Sequence, residues 1–141
     1  MTDFDAYADQ ILPLDGPYNA SDVHTAARLV AELVRRLNHA TLGDNAEQSL
    51  PIPQDVDQVV VWLHTALSRV PQLFNQIASR VQRLEGVGVD DHHDGLDSSD
   101  AAVMVAQHLA RAVPHIDQAT TELRQAQRIT GRLYVRSEAA S

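Results

Sequence analysis

Residues 54–85 read QDVDQVVVWLHTALSRVPQLFNQIASRVQRLE. Apolar residues recur in this stretch every three or four positions for about eight helical turns, with the seven-residue rhythm of packed helices. The stretch begins after Pro53 and ends before Gly86. It therefore predicts one long helix, whose core series is Val56, Val59/Val60, Leu63, Ala66/Leu67, Val70, Leu73/Phe74, Ile77, Val81 and Leu84.

A second long helix is predicted after a loop rich in Gly and Asp, residues 86–97. Ser98 or Ser99 is its predicted N-cap and Gly131 its predicted end. A loop of about 12 residues joins two arms of about 32 residues, so we expect the arms to form an antiparallel hairpin. The core series of this second arm is Ala102, Val105, Leu109, Ala112, Ile116, Ala119, Leu123 and Ala126.

A third long helix precedes the hairpin in the chain. Ser21 is its predicted N-cap and Gly43 its predicted end. We expect this helix to pack along one half of the hairpin through an apolar series spaced three and four apart. That series is Val23, Ala26, Ala27, Val30, Leu33, Val34 and Leu37.

The predicted fold is all-α, an antiparallel bundle of three long helices, because no segment alternates apolar and polar residues as strands do. Residues 1–20 form an N-terminal leader with one or two helical turns before Pro13. Residues 21–131 form the bundle and residues 132–141 a tail. Pro71 and Pro114 fall in the middle of the hairpin arms, where each removes a helical hydrogen bond, so both arms are expected to be kinked or split.

Composition bounds the class of protein. The chain has 141 residues, no Cys, 44% apolar residues and a formal net charge of −8. This length corresponds to one ordinary globular domain, and the missing Cys excludes disulfides, thiolate metal sites and Cys nucleophiles. No run of 18 apolar residues occurs, and the start of the chain is acidic and lacks the features of a secretory signal. The predicted location is the cytoplasm, with no membrane span.

The apolar pattern exceeds what one buried face can hold. Around residues 59–63 apolar side chains point to every side of the helix, so Val61 and Trp62 lie outside the core face. Val103 and Met104 repeat this in the other arm. Such residues need a second partner, either the leader or another copy of the chain. We therefore predict a homo-oligomer whose candidate interface is Val61, Trp62, Val103 and Met104.

Metal and catalytic motifs are missing from the sequence. His108, His115 and Glu122 share one flank of a helix, but steps of seven residues separate them by about 10 Å each, too far for one ion. The loop from Asp90 to Gly95 resembles a calcium loop only in part, because Ala101 stands where the bidentate Glu belongs. No nucleophile elbow and no phosphate-binding Gly-rich loop occurs. We predict no cofactor, no metal site and no enzymatic activity.

One basic stripe is a candidate anion contact. Arg124, Arg128, Arg132 and Arg136 recur every four residues. They fit a phosphate or nucleic-acid contact, or the ordinary preference of Arg for helix C-termini. The absence of Lys and a pI near 5.1 do not favour nucleic acid, which is kept as the alternative function.

Two stretches, RRLNHAT at residues 35–41 and VPQLFNQ at residues 70–76, resemble small helical proteins of actinobacteria that have no assigned function. The resemblance implies no active site. Residues 134–138, YVRSE, resemble the export signal of WXG100-type helical hairpin proteins, whose Trp-x-Gly turn is missing here. The sequence thus predicts a non-enzymatic protein–protein interaction module, an adaptor, scaffold or accessory subunit that associates with itself and with an unknown protein. Export is a further alternative.

Overall fold

The computed structural model describes residues 4–84 and 97–135 of the chain. All regular elements in these residues are helices, which confirms the all-α class. The helices are α1 (Phe4–Ile11), α2 (Ala20–Ala40), α3 (Asp44–Ser49), α4 (Pro53–Leu84) and α5 (Ser98–Thr130). They fall into two compact units, Met1–Pro51 and Ile52–Ser141.

The leader contains the short helix that the sequence predicts. This helix, α1, ends before Pro13, which cannot continue it. The segment after it contacts the first turns of α2, since Leu12, Leu14 and Tyr18 line an apolar depression together with Val23. Within its own unit, the leader is therefore attached to the start of α2.

Asn19 caps the N-terminus of α2. Its Oδ1 accepts a hydrogen bond of 3.0 Å from the backbone N–H of Asp22, and its backbone is extended as an N-cap requires. Ser21, the predicted cap, lies inside the first turn, so that prediction is wrong by two residues. Similarly, Asp97 caps α5 by accepting a hydrogen bond from the Ser99 N–H, so the predicted cap, Ser98 or Ser99, is wrong by one or two residues.

The helix α3 follows α2 directly and was not predicted. Its side chains satisfy carbonyl groups at the end of α2: Asn45 Nδ2 donates to the His39 carbonyl at 3.0 Å, and Ser49 Oγ donates to the Ala40 carbonyl at 2.6 Å. Gly43, the predicted end of α2, lies in the turn between the helices at a φ of 53°, where glycine is favoured. The helix itself ends three residues earlier.

The second unit is a helical hairpin formed by α4 and α5. The end of α5 lies at the start of α4, where Thr130 Oγ1 donates a hydrogen bond of 2.6 Å to Asp57 Oδ1. The two arms are therefore antiparallel, and each step forward along α4 corresponds to one step back along α5. This part-buried bond joins the arms at the end opposite to the connecting loop.

Replacing Asp57 with Ala is expected to lower the free energy of unfolding by about 1–2 kcal/mol, because Thr130 then loses a charged hydrogen-bond acceptor. Urea denaturation followed by circular dichroism measures the loss. A double-mutant cycle with Thr130→Val isolates the bond, since Asp57 also favours the helix dipole near the start of α4. Additive effects of the two substitutions would show that the bond contributes nothing.

The seam between the arms follows steps of three and four residues, which alternate except for two successive steps of four from Val70 to Ala78 on α4. Along α5 it comprises Ser99, Ala102, Ala106, Leu109, Val113, Ile116, Thr120, Leu123, Gln127 and Thr130. Along α4 it comprises Val56, Val60, Leu63, Leu67, Val70, Phe74, Ala78 and Val81. Among the described residues only Ala102 and Thr120 are fully buried, with exposed fractions of 5% and 9%.

Nine residues of the predicted core series lie outside this seam. Five of them are exposed, namely Ala66, Leu73, Ile77, Val105 and Ala119. Two packed helices cover only one stripe of each partner, and these residues lie beside the stripe. The predicted core series therefore contains residues of the seam together with residues of a neighbouring apolar stripe.

Neither arm is split at its proline. α4 continues through Pro71 and α5 continues through Pro114. Counted from the Asp57–Thr130 hydrogen bond, Pro71 is level with residue 116, which is two residues from Pro114. Both prolines therefore lie near the same level of the hairpin. The predicted kinks stay predictions.

The apolar face of α2 is exposed. Val23, Val30, Leu33 and Val34 have exposed fractions of 58%, 63%, 58% and 47%. Among the described helices of its own unit, the main contact of α2 is with the short α3. The structure pairs α4 with α5. The three-helix bundle, with α2 packed along that pair, stays a prediction.

Candidate functional site

The two sides of the hairpin can be told apart by the heptad positions abcdefg, in which a and d form the seam and e and g flank it. Asp57 and Gly131 both hold e positions. They are neighbours, because a Cβ built on Gly131 would lie 3.6 Å from Asp57 Oδ1. The e positions of the two arms therefore meet on one side of the hairpin, and the g positions meet on the other.

These two sides differ in chemistry. The e side is mixed and contains Asp57, His64, Pro71, Val103, Ala110, Asp117 and Arg124. The g side holds Val59, Ala66, Leu73 and Arg80 on α4 and Val105, Ala112, Ala119 and Ala126 on α5. Flanking positions of a solvated helix pair usually carry charges, whereas here a single Arg interrupts an apolar surface.

Trp62 and Ile77 extend this surface at its edge on α4. We call the complete set the g-side face; it comprises Val59, Trp62, Ala66, Leu73, Ile77, Val105, Ala112, Ala119 and Ala126. Four of its large side chains are exposed, with fractions of 66% for Trp62, 50% for Leu73 and 41% for both Ile77 and Val105. Val59, Ala112 and Ala126 are half-buried, so the face is an apolar strip that the hairpin buries only in part.

Large and small side chains are unevenly distributed over the g-side face. Its large side chains lie on α4, whereas α5 contributes three alanines and Val105. Charges lie at its edges: Arg69 and Arg80 are exposed on α4, and Glu122 is exposed on α5. A partner that fits this surface must place small residues over α4 and large residues over α5.

The predicted interface residues are not brought together. Trp62, Val103 and Met104 are exposed, the last two at 44% and 45%, while Val61 is half-buried. In the observed register residue 62 is level with residue 125, so Trp62 lies about 30 Å along the hairpin from Met104. Of the four predicted residues, Trp62 alone lies on the g-side face. Sequence reasoning missed the remainder because it assigned them to the core.

The arginine stripe is only partly described. Arg132 Nε donates a 2.7 Å hydrogen bond to the Arg128 carbonyl, so this side chain satisfies the C-terminal end of α5. Arg128 contacts Gln125 at 3.5 Å, and Arg124 is exposed. Arg136 lies outside the described residues. The capping bond favours the helix-end interpretation for Arg132, and the nucleic-acid interpretation stays a prediction.

In the described parts of the chain, no three His, Asp or Glu side chains lie close enough together to hold a metal ion. His64 has a buried Nε2 for which no hydrogen-bond partner is found, but its side chain is only half-buried. The Asp90–Gly95 loop lies outside the described residues, and so does most of the predicted export signal after Val135.

Comparison with known proteins assigns neither a family nor a function to this chain. No protein-family model, no curated protein and no solved structure matches this chain. The resemblance to actinobacterial proteins therefore stays a prediction. In the two described stretches, none of the helices combines the length and apolar character that crossing a membrane requires.

Proposed function

We propose that this protein is a non-enzymatic protein–protein interaction module that associates with itself and serves as an adaptor, scaffold or accessory subunit. The observation that carries the proposal is the g-side face. It runs along both arms of the hairpin and exposes Trp62, Leu73, Ile77 and Val105 to solvent. Large contiguous apolar patches on a protein surface typically mark interaction sites.

The size of the face supports this proposal. It extends from Val59 to Ile77 on α4 and from Val105 to Ala126 on α5, which is about 30 Å of helix. Two helices packed 8–10 Å apart present a surface roughly 18 Å wide. A strip of this size, roughly 550 Å², reaches the upper range of patches that monomeric proteins expose.

The chemistry of the face supports binding and offers nothing for catalysis. Its residues are aliphatic or aromatic and supply no acid, base or nucleophile. Trp62 is the largest of them and the most exposed of the large side chains. Because Trp is enriched among residues that dominate binding energy, Trp62 is the natural anchor of the interface.

Replacing Trp62 with Ala is expected to weaken self-association by at least 30-fold, since truncating an anchoring Trp costs about 2 kcal/mol or more. Native mass spectrometry of the untagged protein across a concentration series measures the shift from oligomer to monomer. Folding is expected to be retained, because two-thirds of the Trp62 surface is already exposed.

Trp62→Phe is the matched control, since it keeps an aromatic surface and should keep most of the assembly. Circular dichroism checks that both variants stay helical. A wild-type chain that is monomeric at about 100 μM would contradict the proposal. So would an oligomer that Trp62→Ala leaves unchanged.

A further inference from the structure

We propose that the g-side face is covered by the same face of a second copy, so that two hairpins form a symmetric four-helix bundle. This inference rests on the proposed function and names its partner and geometry. A symmetric pair requires a self-complementary surface, on which residue i contacts residue j of the copy and j contacts i. The g-side face has this property in shape, charge and size.

The shape is self-complementary because large and small residues are separated between the arms. A two-fold axis that lies in the interface plane, parallel to the helices, places α4 of one copy over α5 of the other. Leu73 and Ile77 of α4 then lie over the stripe that contains Ala112 and Ala119. Large residues packed against small ones allow two helix layers to interdigitate.

The charges at the edges agree with the same arrangement. The α4 edge of the face carries Arg69 and Arg80, and the α5 edge carries Glu122. Since α4 of one copy lies over α5 of the other, the basic edge meets the acidic edge twice in the symmetric pair. Opposite charges around an apolar centre favour this register over one in which two α4 helices meet.

The area is sufficient for a specific dimer. The face measures about 30 Å by 18 Å, so each copy contributes roughly 550 Å² and the pair buries roughly 1,100 Å². A specific interface requires about 1,000 Å² in total. The e side offers no such surface, because Asp57, His64, Asp117 and Arg124 interrupt it.

The first test compares two single variants of α5, one with a new charge on the g-side face and one with the same charge on the e side. Ala119 lies on the g-side face and Ala110 on the e side, and both are exposed on the same helix. Ala119→Glu is expected to raise the dimer dissociation constant by at least 100-fold, because the carboxylates are buried between the hairpins. Ala110→Glu, with the same change in chemistry and helix propensity, is expected to leave it unchanged. Sedimentation velocity and native mass spectrometry give both values.

The second test uses the absence of Cys from the chain. Single variants Ala66→Cys and Ala119→Cys are mixed and oxidised, so that any mixed disulfide joins two copies. Ala66 lies near the middle of α4 and, with fully overlapped arms, lies close to Ala119 of the other copy in this two-fold arrangement. A mixed disulfide is expected for this pair and not for Ala66→Cys with Ala110→Cys. This test holds even where Ala119→Glu impairs folding.

The outcomes separate the inference from the function on which it rests. A wild-type monomer would overturn the proposed function together with the bundle. An oligomer that persists in Ala119→Glu, or one that gives no 66–119 disulfide, would overturn the four-helix bundle and leave self-association through another surface. Loss of the dimer in Ala119→Glu, its retention in Ala110→Glu and the mixed disulfide together establish the bundle.

Discussion

Replacing Ala102 with Asp is expected to lower the free energy of unfolding by about 3 kcal/mol or more. Ala102 holds a d position of the seam and has an exposed fraction of only 5%. Asp is too short to reach solvent from this position, so its carboxylate would be buried without a partner. The intrinsic helix propensity of Asp contributes at most about 0.7 kcal/mol of the loss.

Ala110→Asp provides the matched control. Ala110 lies in the same helix and is exposed, so the substitution carries the same propensity cost without burying the charge. We expect it to destabilise the protein by less than about 1 kcal/mol. Urea denaturation followed by far-UV circular dichroism compares the two variants. Equal losses would show that Ala102 does not lie in the seam.

The helices of the hairpin could be predicted from the sequence because both arms carry long apolar periodicity. Pro53 and Gly131 mark the predicted start of α4 and the predicted end of α5. The caps were less certain, since Asn19 and Ser21 are both good N-caps and Asp97 stands directly before two serines. Backbone conformation decides between such neighbours, and single-residue preferences do not reveal it.

The side of each helix that forms the seam could not be predicted. On α5 the series that includes Val105 and Ala119 is as apolar as the true seam, which contains the polar residues Thr120 and Gln127. Thr120 is accommodated because its hydroxyl donates to the Ile116 carbonyl of its own helix at 2.8 Å. A search for apolar residues therefore selects the g stripe in place of part of the seam.

The register between the arms could not be predicted from the sequence either. It depends on contacts such as the Asp57–Thr130 hydrogen bond, which joins residues 73 positions apart. Without the register, Trp62 and Met104 looked like parts of one surface. With it, Trp62 joins Leu73 and the alanines of α5, and the candidate interface moves from the ends of the hairpin to its g side.

Replacing Phe74 with Ala is expected to lower the free energy of unfolding by about 2–3 kcal/mol. Phe74 holds a seam position and is half-buried, so the cost falls below the 3–5 kcal/mol of a fully buried Phe. Its neighbour Leu73 lies on the g-side face and is 50% exposed. Truncating Leu73 should therefore cost the isolated hairpin less than about 1 kcal/mol.

Protein concentration separates the roles of these two neighbours. If Leu73 packs between copies, the effect of Leu73→Ala grows with concentration, because dimer formation stabilises the folded wild-type chain by mass action. The effect of Phe74→Ala comes from contacts within one hairpin and stays similar in the low and high concentration ranges. Thermal melts at about 1 μM and 100 μM measure both. A concentration-dependent loss for Phe74→Ala alone would place Phe74, and not Leu73, at the surface between copies.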